Sequence, residues 1–153
     1  MVRAGVDPLS TSGSQAAGGR YNDAGIAGVL YTSLDKATAV AEIMRGLRIR
    51  GVNPKHFGPE DWWVYEIRVQ VSSVLDLQRN ATRSDLRVTN EALVADDTAE
   101  TRRIGNYARD NSFQAVLAPS AAAKDQNTLV LFMDRLSAEP EVVSSAPVDF
   151  SAG

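Results

Sequence analysis

Residues 18–42 place a glycine-rich loop, a short apolar strand and a helix one after another, and this succession constrains the fold more than any other stretch. The loop carries Arg20, the strand predicted over 28–32 carries Tyr31 near its end, and the following helix carries Glu42. A loop, a strand and a helix in quick succession commonly build one face of a pocket. We therefore expect these three chemically different side chains to share one surface, held in place by the rest of the sheet.

The helix that follows the strand is predicted from its end signals and from its apolar spacing. Ser33 stands where an N-cap belongs, and Asp35 lies in the first turn, where a carboxylate suits the helix dipole. Glu42 lies beside the apolar stripe. Apolar residues recur at helical spacing and predict the buried face; they are Leu34, Ala37, Val40, Ala41, Met44 and Leu47.

The remaining segments predict a mixture of strands and helices without regular alternation. The clearest strand is 62–71, where polar and apolar residues alternate. This order predicts an α+β or mixed α/β fold with one sheet system and flanking helices, in a single domain over residues 1–153. Loops are predicted at 7–19 and 50–61, helices at 84–93 and 98–109, and further strands at 1–5, 74–77, 113–118, 128–133 and around 142–143.

Composition excludes several classes of protein. The net charge of -3 argues against a general nucleic-acid binder. No apolar run reaches the roughly 18 residues of a membrane span, and the N-terminus lacks a signal-peptide pattern, so we expect a cytoplasmic location and no membrane partner. The chain has no cysteine, and its single histidine, His56, cannot form a multi-histidine metal site, so we expect no metal. The glycine motifs of Rossmann and P-loop nucleotide sites are also absent.

Four side chains have the chemistry of a ligand site. Arg20 could clamp a phosphate or carboxylate with two parallel hydrogen bonds. Tyr31 could stack on a flat heterocycle, and Glu42 could stabilise an oxocarbenium-like centre or hold a ribose hydroxyl. Ser120 could hydrogen-bond a ligand. Each also fits an ordinary structural role: a solvated loop arginine, a core tyrosine, a helix-surface glutamate and a turn serine.

Five segments, taken together and in order, resemble the RES-domain proteins. The family takes its name from an arginine, a glutamate and a serine, which here match Arg20, Glu42 and Ser120, and the tyrosine of its YxS segment matches Tyr31. Weaker agreement in DPLS, VLDL and DRL extends the resemblance over nearly the whole chain. The five segments are GGRYN (18–22), GVLYTS (28–33), AVAEI (39–43), APS (118–120) and NTLVLF (127–132).

The resemblance implies a fold like that of the ADP-ribosyltransferases, with an NAD-binding cleft, in the toxin of a bacterial type II toxin–antitoxin pair. Family members cleave the nicotinamide–ribose bond of NAD by hydrolysis or phosphorolysis, and some transfer ADP-ribose to a protein. NAD is thus the implied substrate, with no prosthetic group. The implied partner is a small helix-turn-helix antitoxin that blocks the cleft, in a homodimer or hetero-oligomer; the complex, and not the toxin alone, binds DNA.

The family also implies a role for each matching residue. Arg20 would hold the NAD pyrophosphate or the nearby ribose, and Tyr31 would stack against nicotinamide. Glu42 would hold the ribose and stabilise positive charge as nicotinamide leaves, with Ser120 bonded to the nicotinamide end or its ribose. Arg3 resembles an arginine that many members place ahead of the DPLS loop, and would be a second anion-binding group.

The chain departs from the family pattern in two ways, and three functions are compatible with its sequence. Tyr21 stands where many relatives carry tryptophan, and the chain starts almost at its first motif, where family members often carry more residues. The leading function is an NAD-degrading toxin whose catalytic residues are Arg20, Tyr31 and Glu42. The alternatives are an ADP-ribosyltransferase that modifies a protein, and a non-catalytic nucleotide-binding module. The acceptor of ADP-ribose can be water, phosphate or a protein.

Overall fold

Seven strands in two β-sheets and five α-helices make up the part of the chain that the computed structural model describes, residues 1–150. The strands are β1 (Val2–Arg3), β2 (Val29–Ser33), β3 (Trp62–Arg68), β4 (Val74–Asp76), β5 (Ala115–Pro119), β6 (Asn127–Phe132) and β7 (Glu141–Pro147). The helices are α1 (Ser12–Ala17), α2 (Lys36–Ile49), α3 (Asn80–Asp85), α4 (Asn90–Val94) and α5 (Ala99–Asp110), with 3-10 turns at Pro54–His56 and Met133–Arg135.

The strands divide between a four-stranded and a three-stranded sheet. The larger sheet has the order β2-β6-β5-β4, in which only the β4–β5 pair is parallel, and the smaller has the order β1-β3-β7, antiparallel throughout. The mixed α/β class predicted from sequence is confirmed, and its sheet system consists of these two sheets. The division follows the sequence pattern: β5 and β6 are apolar runs buried at the centre of one sheet, whereas β3 alternates and pairs with the exposed strand β7.

The main hydrophobic core joins the four-stranded sheet to the later helices. Strands β5 and β6 contribute fully buried aliphatic and aromatic side chains, against which α4 sets Leu93 and α5 sets Ile104 and Ala108. A second cluster packs Leu47 of α2 against Trp62 of the smaller sheet. Helix α2 thereby connects the strand that precedes it, in one sheet, to the other sheet.

Asp35, and not Ser33, is the N-cap of α2. Its Oδ1 accepts from the Thr38 backbone N–H at 2.9 Å and its Oδ2 accepts from the Thr38 hydroxyl at 2.6 Å. These hydrogen bonds lower the pKa of Asp35. Because the helix begins at Lys36, the first buried position is Thr38, so the expected burial of Leu34 and Ala37 is wrong: Leu34 is 59% exposed.

Two further segments differ from the sequence prediction. The stretch 7–19, predicted as loop, contains the short helix α1, which has no buried residue. The helical pattern at 84–93 is split between α3 and α4, because Arg87 takes a left-handed conformation with φ of 53° and stops the first helix. No helix within residues 1–150 has both the length and the apolar character needed to cross a membrane.

Helix α5 lies directly against the loop that carries Arg20, and Gly105 makes this approach possible. A Cβ built on Gly105 would lie 2.7 Å from the carbonyl carbon of Tyr21, well inside normal contact distance. Gly105 is buried in the middle of the helix, where glycine is otherwise unfavourable. Glycine at this position therefore lowers the intrinsic stability of the helix, but it allows contact between α5 and the backbone of the loop.

We expect Gly105→Ala to lower the free energy of unfolding by about 3 kcal/mol, because the added methyl group must displace backbone rather than a flexible side chain. Gly46→Ala in α2 is the matched control, since a Cβ there meets nothing within 4 Å, and it should be neutral or stabilising by up to about 1 kcal/mol. Urea denaturation measures both. Equal stabilities of the two variants would contradict the close approach of α5 to the loop.

Candidate functional site

Glu42 and Ser120 lie in direct contact, although 78 positions separate them in the chain. The Ser120 hydroxyl donates to Glu42 Oε1 at 2.5 Å and accepts from the backbone N–H groups of Ala122 and Ala123 at 3.1 and 3.0 Å. A serine hydroxyl has one proton and two lone pairs. With both amides donating to it, its only proton is directed at the carboxylate, so the turn after β5 orients Glu42.

Arg20 is anchored by backbone carbonyls at the end of α4. Its Nη1 donates to the Leu93 carbonyl at 3.3 Å and to the Ala95 carbonyl at 2.6 Å. The last carbonyls of a helix lack partners within the helix and carry partial negative charge, so a guanidinium is well placed there. Within residues 1–150, Nε and Nη2 of Arg20 have no hydrogen-bond partner, which leaves the bidentate edge of the guanidinium for a ligand.

Arg20 lies within electrostatic range of Glu42, Arg45 and Asp96. Burial, and then the positive charge of Arg45, lower the pKa of Arg20, while the carboxylates of Glu42 and Asp96 oppose that change. Arg45 itself forms an ion pair with Asp96. No ion pair joins Glu42 to a cation in the described part of the chain, so its carboxylate is not neutralised by direct contact.

Tyr31 offers its ring, but not its hydroxyl, to a ligand. The hydroxyl accepts from the Tyr21 backbone N–H at 2.8 Å and donates to Asn22 Oδ1 at 2.7 Å. The residue as a whole is 37% exposed, so the exposed part belongs to the ring. Enclosure of the hydroxyl by the loop raises the pKa of Tyr31 to about 12, against the opposing effects of the hydrogen bond from Tyr21 and the charge of Arg102.

Several hydrogen bonds hold the loop at 18–22 in one conformation. The Gly19 N–H donates to the Asn22 carbonyl at 2.9 Å, and Arg102 Nε donates to the Gly19 carbonyl at 3.1 Å. Asn22 is fully buried and donates to the Ser14 and Asp23 carbonyls, each at 2.9 Å. A Cβ on Gly19 would lie 2.6 Å from the nearest atom of the Tyr31 ring, so only glycine allows the ring to approach.

Asn22, Arg45 and Arg102 belong to this site, and the sequence analysis did not single them out. For Asn22 a signal existed, because an asparagine closing a glycine-rich turn commonly hydrogen-bonds backbone groups. Arg45 stands three positions after Glu42, which places both on one side of α2. Arg102 had no comparable signal, since its contact with the loop spans 83 positions.

Arg3 lies apart from the other predicted residues. Its guanidinium carbon is 5.5 Å from the centroid of the Phe57 ring, a cation–π contact. Within residues 1–150 it forms no hydrogen bond or ion pair with Arg20, Tyr31 or Glu42. The structure thus brings Glu42 and Ser120 into contact, sets Arg20 and Tyr31 on the loop and strand beside them, and gives Arg3 a different neighbour.

A cavity of about 550 Å³ opens between the two sheets, and residues 30–36, from β2 into the start of α2, form one wall. Strands β3 and β7 form the opposite wall, where Ser144 donates to Glu66 at 2.9 Å. A volume of this size accommodates a small organic ligand. Within residues 1–150, no group of three histidine, cysteine, aspartate or glutamate side chains is arranged to hold a metal ion.

We expect Tyr31→Phe to lower the free energy of unfolding by about 1–3 kcal/mol, because it removes the acceptor of the Tyr21 amide and the donor to Asn22 Oδ1. Tyr21→Phe is the matched control: the Tyr21 hydroxyl is buried and has no hydrogen-bond partner within residues 1–150. Its removal should leave stability equal or slightly higher. Urea denaturation compares the two, and a larger loss for Tyr21→Phe would contradict the bridging role of Tyr31.

Alkaline pH should weaken the fold in part through Tyr31. A tyrosine whose pKa is about 12 in the folded state and about 10 in the unfolded state stabilises the fold below pH 10. That contribution is lost as the pH rises from about 10 to about 12, because the unfolded state releases its proton first. Urea midpoints measured across this range should fall more steeply for the parent protein than for Tyr31→Phe. Identical slopes would show that Tyr31 does not titrate in this way.

Comparison with known proteins places the chain in a family. The model of the RES domain matches residues 2–151. A protein of Mycobacterium tuberculosis named Probable NAD(+) phosphorylase Rv3189 is 37% identical over 142 residues, which are 88% of this chain and 64% of that relative, so the chain spans less than two thirds of the relative's length.

A solved structure of a toxin–antitoxin complex shares the fold. It is the crystal structure of the M. tuberculosis MbcT-MbcA toxin-antitoxin complex, one chain of which superposes with a TM-score of 0.86 at 21% identity. The match covers 99% of this chain and 82% of that one. With the family model spanning almost every residue, and with the arginine, glutamate and serine of the family's name meeting around one site, this protein is a member of the RES-domain family.

Proposed function

We propose that this protein cleaves the nicotinamide–ribose bond of NAD and transfers ADP-ribose to inorganic phosphate. The observation that carries the proposal is the carboxylate of Glu42, oriented by the Ser120 hydroxyl and free of any ion pair within residues 1–150. The 37% identical relative, named as an NAD(+) phosphorylase, supports both the substrate and the acceptor. The family membership supports the same chemistry.

Glu42 acts on the charge that develops during the reaction. As the glycosidic bond breaks, its electron pair moves to the positively charged pyridinium ring, and nicotinamide leaves as a neutral molecule. Positive charge then develops on the ribose ring, where a fixed carboxylate stabilises it. An oxygen of phosphate bonds to the anomeric carbon, and no proton has to be transferred to the leaving group. A site without a histidine or cysteine in it is sufficient for this reaction.

The other side chains bind and orient the substrate. Arg20 holds the pyrophosphate or the adjacent ribose with its free Nε and Nη2 edge, in the bidentate manner that suits phosphate oxygens. Tyr31 stacks its exposed ring face on the nicotinamide, beside the glycine-rich loop that holds its hydroxyl. Ser120 acts through Glu42 as a positioning residue. Arg3, on the neighbouring sheet, is a second anion-binding group for the far end of NAD.

We further propose that the protein is the toxin of a toxin–antitoxin pair. The shared fold with a chain of the MbcT-MbcA complex supports an antitoxin partner. A segment of that partner, a helix-turn-helix protein, covers the cleft and shields Tyr31 and Glu42 from NAD. The toxin itself does not bind DNA, in keeping with its net charge of -3. It acts in the cytoplasm, where its substrate is, as a single domain in a homodimer or hetero-oligomer.

Purified protein incubated with NAD and phosphate should release nicotinamide and ADP-ribose phosphorylated at its anomeric carbon. Glu42→Gln should lower kcat by about a hundredfold or more, because the amide cannot stabilise the positive charge. Glu139→Gln is the control, since Glu139 is exposed and forms no ion pair within residues 1–150. Chromatography of the products measures the rates.

The products also separate the other functions. Free ADP-ribose as the product, both in the presence and in the absence of phosphate, would indicate that water is the acceptor and that the protein hydrolyses NAD. ADP-ribose attached to a protein, with little loss of NAD, would indicate an ADP-ribosyltransferase. NAD that is bound and remains intact in the folded protein would contradict enzymatic activity altogether and support a nucleotide-binding module.

A further inference from the structure

We propose that Arg45, beside Arg20, binds the inorganic phosphate that accepts ADP-ribose, one helical turn from Glu42. This inference rests on the proposed function and names the residue that selects the acceptor. Glu42 and Arg45 stand three positions apart on α2, so their side chains leave the same side of the helix. A nucleophile bound at Arg45 is therefore close to the sugar that Glu42 stabilises.

One short segment of backbone positions both guanidinium groups. Leu93 and Ala95 anchor Arg20 through their carbonyls, and Asp96, the next residue, holds Arg45. Two cations are thus fixed next to each other in a partly buried region, where like charges repel and only the carboxylate of the exposed Asp96 pairs directly with one of them within residues 1–150. The charge of Arg45 lowers the pKa of Arg20, which is consistent with their proximity. This is the arrangement that a phosphate dianion would stabilise.

Both arginines keep hydrogen-bond donors for such an anion. A guanidinium has five N–H groups. Arg20 uses Nη1 for the two carbonyls, and Arg45 uses Nη2 for Asp96, so each retains Nε and one further nitrogen without a partner within residues 1–150. Asp96 is 90% exposed, so its ion pair with Arg45 is screened by water and competes weakly with a phosphate.

The anion site lies outside the cavity between the sheets, on the same side as Glu42. None of Arg20, Glu42 and Arg45 is among the described residues that line that cavity. A phosphate near Glu42 would be repelled by the carboxylate unless cations offset that repulsion, and Arg45 is the cation on the same helix. The geometry thus places the cation for the nucleophile on the same helix as the carboxylate that stabilises the sugar.

The phosphate that Arg45 binds could be free phosphate or the pyrophosphate of NAD, and steady-state kinetics distinguish them. We expect Arg45→Ala to raise the KM for inorganic phosphate by about ten- to a hundredfold, because charge-assisted hydrogen bonds to the phosphate are lost. The KM for NAD should stay within about twofold of the parent value. Arg45→Lys should recover part of the loss, because it keeps the charge without the fork. Arg48→Ala, one turn further along α2 at an exposed position, is the control and should match the parent.

Two results would overturn the inference. A rise in the KM for NAD instead of phosphate would assign Arg45 to the pyrophosphate, and a phosphate KM equal to that of Arg48→Ala would leave Arg45 in a surface ion pair only. Because the partner Asp96 is exposed, Arg45→Ala should fold normally, which a thermal melt checks.

A binding measurement keeps the inference separate from the proposed function. Phosphorus NMR titration of inorganic phosphate with the folded protein needs no turnover. Weaker phosphate binding by Arg45→Ala than by the parent supports the site even if NAD is not cleaved, a result that would count against the proposed function alone. Equal binding by the two proteins overturns the site, whether or not NAD is consumed.

Discussion

The phenolic hydroxyl of Tyr31 is the interaction on which the geometry of the site depends. It joins strand β2 to the glycine-rich loop through one backbone amide and one buried side chain, Asn22. The loop then has a fixed path, and Arg20 leaves it in a single direction toward the end of α4. Gly19 and Gly105 allow the ring on one side and α5 on the other to approach the loop backbone. The hydroxyl of Tyr31 thus fixes the loop of the site, while the exposed part of its ring is available to a ligand.

The second constraint is electrostatic and concerns Glu42. Its carboxylate is oriented by a serine whose own lone pairs are occupied by two backbone amides, so the hydrogen bond needs no neighbouring cation. Arg20 and Arg45 are instead turned toward backbone carbonyls and toward Asp96. Within residues 1–150, Glu42 therefore lies near the two arginines without forming an ion pair with either of them. A site arranged in this way can respond both to positive charge on a sugar and to negative charge on a phosphate.

Sequence patterns predicted most elements of the fold but not their tertiary connections. Strands β5 and β6 are apolar runs, and α5 has a clear helical period, so local signals were sufficient there. The N-cap of α2 was placed at Ser33 because both serine and aspartate favour that position, and only the contact with Thr38 decides for Asp35. The side-chain chemistry and the family resemblance both indicate Glu42 and Ser120, whereas their contact depends on how α2 packs beside the end of β5. The hydroxyl of Tyr31 likewise has partners that no spacing rule specifies.

The anchoring of Arg20 by main-chain oxygens has a consequence for how the protein can vary. Every residue type provides the same carbonyl, so the side chain at position 95 can change without disturbing the arginine, provided that the chain follows the same path. What must persist is the length and the exit angle of the turn after α4. The turn after α4, whose carbonyl accepts from the guanidinium, therefore tolerates substitution but not insertion or deletion. Among relatives, the amino-acid sequence of this turn could change extensively without loss of the site, as long as the number of residues in the turn stays constant.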